Sequence, residues 1–238
     1  MIRHFGMLIP STNTTVEIEY TRLLPPNLQA HYARLGKAEN VVFSASRDDD
    51  LSYQSKLLGN AKVEVIALTQ TSASLHDGGY DAKAKARMSE GAGTTAITSA
   101  EAIGEAVRAL GARRIALISP YSDAVMLRAK HYYESRYGLE VLATAPFGAT
   151  DSYAIGELEP ENATDAFAQY DRSEIEVLVL PGGNFPTMEH IADWEEQAGK
   201  PVLTTNQVVI WAVMAALDIS TPLSGLGQLL EELPARSA

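Results

Sequence analysis

The sequence predicts an α/β protein of two Rossmann-like domains, each with a four-stranded parallel sheet, related by a pseudo-two-fold and facing one another across a cleft. Three observations predict it. Short apolar runs of strand length alternate with longer stretches at helical spacing, the signature of βαβ units whose strands are buried on both faces. Each half contains a strand that runs into a loop of small residues, at 69–74 and 181–187. Eight strands of about five residues fit two sheets of four better than one wide sheet.

The strands are expected at residues 4–10, 30–35, 64–69, 94–98, 114–119, 140–145, 176–181 and 201–205. Residues 100–110 carry apolar positions at helical spacing and stop at Gly111, a residue suited to a helix C-terminus. Helices are also expected over 124–137, 163–170, 188–198 and 208–217. Asp48-Asp49-Asp50 reads as a solvated helix start, where acids favour the dipole. The Gly/Thr-rich stretch 89–99 is where the chain leaves the first sheet, and the last helix returns to it. This divides the chain into a first domain of 1–93 plus 207–238 and a second of 94–206.

With 238 residues, 46% of them hydrophobic, the chain is long enough to bury a core. A formal charge of −11 disfavours nucleic acid and anionic membrane surfaces, so an anionic ligand needs a local nest of donors. No stretch of about 18 apolar residues is present, and a cytoplasmic protein is the simplest expectation. The absence of cysteine removes disulfides, thiolate metal sites and thiol nucleophiles together. Five scattered histidines lack metal-ligand spacing, and Gly182-Gly183 lacks the third glycine of a dinucleotide fingerprint, so no metal and no cofactor is expected. Trp194, Trp211 and the apolar tail 223–233 are candidate surfaces for a homo-oligomer.

In open α/β sheets ligands bind beyond the carboxyl ends of strands. There the sequence places Pro10-Ser11-Thr12-Asn13-Thr14, Gln70-Thr71-Ser72-Ala73-Ser74, Ser119-Pro120-Tyr121, Asp151-Ser152 and Pro181-Gly182-Gly183-Asn184. Each has an ordinary structural reading as a helix cap, an ST- or Asx-turn or a half-buried aromatic. Jointly they supply hydroxyls and amides around one volume, the means by which a carboxylate or enolate oxygen is held. His76 and His190 lie near these loops in sequence, His76 as a candidate proton donor and His190 as a solvent-facing residue.

Together with residues 6–11, Thr204-Thr205-Asn206-Gln207, Trp211 and 225–230, these segments resemble the maleate isomerase and arylmalonate decarboxylase branch of the aspartate/glutamate racemase superfamily. The resemblance implies a cleft active site without cofactor or metal. It implies that Asn13, Thr71, Ser72, Tyr121 and the amide of Gly183, with Asn184 beside it, hold a small carboxylate or the enediolate made from it. Ser152 falls where relatives carry an asparagine for a second carboxylate. Relatives with two thiols carry one in each cleft loop, at the positions of Gln70 and Gly182 here, so these two, with Ser72 and Tyr121, are the catalytic positions to test. Three readings stay open: an isomerase or lyase without thiol catalysis, a silent carboxylate-binding protein, and a hydrolase or hydratase using an activated water.

Overall fold

The computed structural model describes residues 1–37, 45–149, 151–167, 170 and 172–235. In chain order it contains β1 (Arg3–Pro10), α1 (Val16–Leu23), β2 (Leu28–Leu35), α2 (Asp48–Asn60), β3 (Val65–Leu68), α3 (Thr71–His76), α4 (Tyr80–Ala92), β4 (Thr95–Thr98) and α5 (Ser99–Ala109). The second half contains β5 (Arg114–Ser119), α6 (Asp123–Tyr137), β6 (Glu140–Pro146), α7 (Glu161–Phe167), β7 (Val177–Leu180), α8 (Ile191–Ala198), β8 (Val202–Thr204), α9 (Thr205–Ala216) and α10 (Gln228–Glu232).

All strands pair in parallel, in the orders β2-β1-β3-β4 and β6-β5-β7-β8. The matching orders give each sheet the same doubly wound plan. The strands β3 and β7 are buried at every position, as strands covered by helices on both faces must be. All eight expected strands are present. The division at residue 94 is corrected at one point: Thr95–Thr98 pairs with β3, so this strand completes the first sheet. The chain leaves that sheet only through α5.

The core is shared. One buried cluster runs from Phe5 and Met7 of the first sheet through Ile103 and Val107 of α5 to Val179 and Leu203 of the second. A smaller cluster, with Leu8, Leu51 and Met88, covers the outer face of the first sheet. Helix α9 is buried from Thr205 to Met214, as a helix apolar on all sides should be, and packs on α5, β3, β4 and β8. Its start is fixed by a capping box between Thr204 and Gln207.

Three expectations need revision. The stretch 71–92 folds as α3 and α4, whose polar composition hid their period. Helix 188–198 is split by a 3-10 turn over Met188–His190 before α8 begins. Trp194 and Trp211 are buried, the first against Phe167 and Phe185 and the second donating Nε1 to the carbonyl of Pro234 at 3.0 Å, so neither offers an exposed oligomer surface. Of the expected helix 163–170, residues 168 and 169 lie outside the described residues.

Candidate active site between the two sheets

The carboxyl ends of both sheets open onto one small cavity of about 50 Å³. Its first wall comes from the turns after β1, β2 and β3, its second from the turns after β5, β6 and β7. Nine residues named from the sequence line it: Asn13, Gln70, Thr71 and Ser72 from the first half, and Tyr121, Ser152, Gly182, Gly183 and Asn184 from the second. Lining residues that sequence reading passed over are Thr12, Lys37, Thr69 and Ile155.

At the floor, α3 begins immediately after Gln70, directing Thr71 and Ser72 into the cavity from its first turn. The Thr71 hydroxyl lies 2.8 Å from that of Ser99 and 3.4 Å from that of Thr205, which itself accepts from the Gly182 N–H at 2.9 Å. Tyr121 is 4% exposed, and its hydroxyl interacts with Ser72 and Thr71. Burial pushes its phenol well above the ordinary range, opposed only in part by those hydrogen bonds. The phenol is therefore a proton-bearing donor throughout the working pH range.

Gln70 is a wall rather than a titrating group. Its Oε1 accepts from the Ser46 N–H (3.2 Å), the Ser46 hydroxyl (3.0 Å) and the Tyr80 hydroxyl (3.1 Å). Gly182, at φ +147, holds a backbone conformation that side chains disfavour, with Pro120 3.1 Å from where a Cβ would stand. At Gly183 a Cβ would come within 2.3 Å of the Thr69 hydroxyl oxygen, so only glycine permits this approach of the walls.

The asparagines serve differently from the hydroxyls. Asn13 caps α1 by accepting from the N–H groups of Thr15 (3.1 Å) and Val16 (3.0 Å), and donates across the cleft to the Gly183 carbonyl at 3.0 Å. One hydrogen of its amide remains for a ligand. Asn184 accepts from the Thr14 N–H at 2.7 Å and donates to the Ser152 carbonyl at 2.9 Å, so its side chain joins segments of both halves. Asn206 donates to the Gly183 carbonyl (3.2 Å) and to Glu19 (2.6 Å). Glu19, buried behind the cavity, also accepts from the N–H groups of Thr187 (2.6 Å) and Met188 (2.9 Å). Desolvation raises its pKa, and these three hydrogen bonds oppose that rise.

The candidate proton donor His76 falls outside, as does His190. His76 ends α3 on the exterior against Arg128, and His190 packs on Trp194 in a separate cleft. Among the described residues no Asp, Glu or His lines the cavity. Asp151 caps the following turn instead, accepting from the N–H groups of Tyr153 (2.8 Å) and Ala154 (3.0 Å). Two lining hydroxyls, Thr12 Oγ1 and Thr69 Oγ1, are buried with no hydrogen-bond partner among the described residues.

Comparison with known proteins agrees with this architecture over nearly the whole chain. A maleate isomerase of Geobacillus stearothermophilus is 27% identical, the alignment covering 97% of this chain and 98% of that one. The structure of a Nocardia farcinica maleate cis-trans isomerase bound to TRIS superposes with a TM-score of 0.88 at 26% identity, over 97% of this chain and 98% of that one. A mutant of that isomerase with a covalently bound succinylcysteine intermediate superposes with a TM-score of 0.83 at 25% identity, over 97% and 99% of the two chains. The model of the arylmalonate decarboxylase family matches residues 5–230, taking in both sheets and every turn that lines the cavity, and the chain belongs to that family.

Proposed function

We propose that this protein is a cofactor-independent lyase or isomerase acting on a small carboxylic acid through an enediolate, with hydroxyl and amide donors in place of thiol chemistry. The observation that carries the reading is the convergence of Thr71, Ser72 and Tyr121 on one cavity, in a chain without cysteine. A substrate carboxylate accepts hydrogen bonds from the Ser72 and Tyr121 hydroxyls and from the second amide hydrogen of Asn13. When CO₂ leaves, the electron pair of the broken C–C bond spreads onto those carboxylate oxygens. Donors fixed before the charge develops stabilise it most. A proton then returns to carbon from solvent.

The relative that carries succinylcysteine forms a sulfur–carbon bond, and no residue of this chain offers that route. Gln70 and Gly182 shape the walls instead. The cavity's small volume favours a ligand of few heavy atoms, and among the described residues no His, Asp or Glu lines it, which argues against a Ser-His-Asp hydrolase mechanism.

The test is ¹H NMR of phenylmalonate and of maleate incubated with the protein in D₂O. Phenylacetate carrying deuterium at Cα supports the proposal, whereas fumarate from maleate would point to a nucleophile adding to the double bond, which the cradle donors do not supply. Saturable binding of these probes with neither turnover nor Cα–H exchange would make the protein a silent carboxylate binder.

A further inference from the structure

The two helices that begin beside the cradle also meet on the outside of the molecule. Helix α3 carries Thr71 and Ser72 in its first turn and His76 at its last position, and α6 starts two residues after Tyr121. Between them lies a cleft of about 400 Å³, separate from the cavity between the sheets. On α6 it is lined by Arg128, His131, Tyr132 and Arg136, spaced i, i+3, i+4 and i+8 so that they share one face. Ser74 and His76 line it from α3.

Acids outnumber bases 30 to 19 in this chain, yet among the described residues no Asp or Glu lines this cleft. Two neighbouring carboxylates are already engaged. Asp81 is buried, accepting from the Ser74 and Tyr132 hydroxyls, both at 2.6 Å, with Arg136 at 3.7 Å. Asp77, next to His76 in sequence, turns to Lys83 at 3.1 Å. Arg136 also lies over the Tyr132 ring, 5.0 Å from its centroid, so its guanidinium is held by two neighbours.

Arg128 is placed differently. It forms no ion pair with any described carboxylate, and its guanidinium rests on the imidazole of His76, against Nδ1 and 2.9 Å from Nε2. Partial burial and the charge of Arg128 both lower the pKa of His76, so the ring is neutral at neutral pH, with one nitrogen to accept and one N–H to give. Two groups that repel once His76 is protonated are thus packed together with no carboxylate between them. His131, exposed and three residues beyond Arg128, is its neighbour on the helix surface.

We propose that Arg128, His76 and His131 form a binding site for a phosphate dianion, inorganic or carried as a phosphate ester, on the outer face of α3 and α6. A guanidinium fork and two ring N–H groups approach from two helices, which suits the several acceptor oxygens of phosphate better than the single plane of a carboxylate. Arg136, whose charge is shared with Asp81, adds a second cation to the same cleft. The bound anion supplies the missing counter-charge and ties the outer end of α3 to α6. The site stands apart from the cradle and does not rest on the reaction proposed there.

The experiment is a titration of the whole protein with sodium phosphate at pH 7 and fixed ionic strength, read on the ring C–H resonances of the histidines by NMR. His76→Gln and His131→Gln assign the two signals, and sodium acetate is titrated in parallel. Phosphate should shift both resonances along one saturating curve in the millimolar range or tighter, and acetate should leave them in place. Arg128→Gln, at an exposed position, should raise the Kd for phosphate about tenfold or more with an unchanged melting temperature. If that variant melts lower, His131→Gln provides the independent check and should weaken phosphate several-fold. Ser72→Ala should bind phosphate as the unaltered protein does. Shifts that grow without saturation, that acetate reproduces, or that persist undiminished in both Arg128→Gln and His131→Gln overturn the site. Loss of phosphate binding in Ser72→Ala would put the anion in the cradle and overturn it equally.

Discussion

Two sets of polar residues meet at this cleft, and their side chains are committed in opposite ways. In the cradle, Thr71, Ser72 and Tyr121 present hydroxyls to the cavity, linked mainly to one another and to Ser99 and Thr205. In the seam, Asn184 and Glu19 are occupied by partners from both walls, and Asn13 and Asn206 both grip the Gly183 carbonyl, Asn13 keeping one amide hydrogen in reserve. The difference is one of reserve capacity. A hydroxyl that donates within a cluster can reorient toward a ligand, whereas an amide or carboxylate saturated by main-chain groups is fixed. Function should therefore depend on the first set and the spacing of the walls on the second.

The largest expected separation is in turnover. Tyr121→Phe or Ser72→Ala should lower the rate on whichever probe is turned over by about 10²- to 10³-fold, the loss seen when one oxyanion donor is removed. The same variants should melt close to the unaltered protein. Rates within twofold of the unaltered protein in both would abolish the distinction between cradle and seam, because the hydroxyls would then be as structural as the asparagines.

Next comes the point where the walls touch. Gly183→Ala places a methyl 2.3 Å from the Thr69 hydroxyl oxygen, while the Gly183 carbonyl is held by Asn13 and Asn206 and cannot retreat. A cost of about 2 kcal/mol in stability is expected for such overpacking. The double variant Gly183→Ala with Thr69→Ala should recover most of it, since the two changes share one contact. Chemical denaturation of the four proteins in the cycle measures this, and simple additivity would show that the strain lies elsewhere.

A loss of about the same size is expected within the seam. Asn184→Ala leaves the Thr14 N–H and the Ser152 carbonyl without their 2.7 Å and 2.9 Å partners. Each abandoned group costs about 1 kcal/mol or somewhat more, depending on how far water reaches it. Turnover per folded molecule should fall less than in Tyr121→Phe. The reverse order would make Asn184 a ligand contact after all.

How much of this was legible beforehand follows the same division. The eight strands could be read because parallel strands buried on both faces leave continuous apolar runs such as Val177-Leu178-Val179-Leu180. The rule that ligands bind beyond strand ends then found the turns after β1, β3, β5, β6 and β7. Applied equally to β2, it would have found Lys37, which follows Leu35-Gly36. What it could not do was separate Asn184 from Ser72. Both are small polar residues at strand ends, and only three-dimensional pairing reveals that one is saturated. Helices α3 and α4 escaped for a related reason: α3 is only six residues long and mostly small and polar, while α4 buries a charged residue, Asp81, on its inner face and carries Lys83 and Lys85 among alanines, which blurs the apolar period. The sequence does not mark which way Trp194 and Trp211 face, because aromatic side chains serve interfaces as readily as cores.

The subtlest contrast concerns pH. Tyr121 and Glu19 are both buried and both have raised pKa values, but only Glu19 starts from the acidic range of a carboxyl. Below about pH 4.5 the Glu19 carboxyl is protonated in folded and unfolded chains alike. As pH rises past that value the unfolded chain ionises first, because desolvation holds the folded group's pKa higher. Between the two values the unfolded state carries fewer protons, so the contribution of Glu19 to stability declines as pH rises and levels off above the folded pKa. Glu19→Gln removes this term. The difference in melting temperature between the unaltered protein and Glu19→Gln should therefore move in favour of the variant as pH is raised from 4 toward neutrality. An opposite drift would mean that the three hydrogen bonds from Thr187, Met188 and Asn206 outweigh burial, and that the seam is held by a carboxylate stabilised in its charged form.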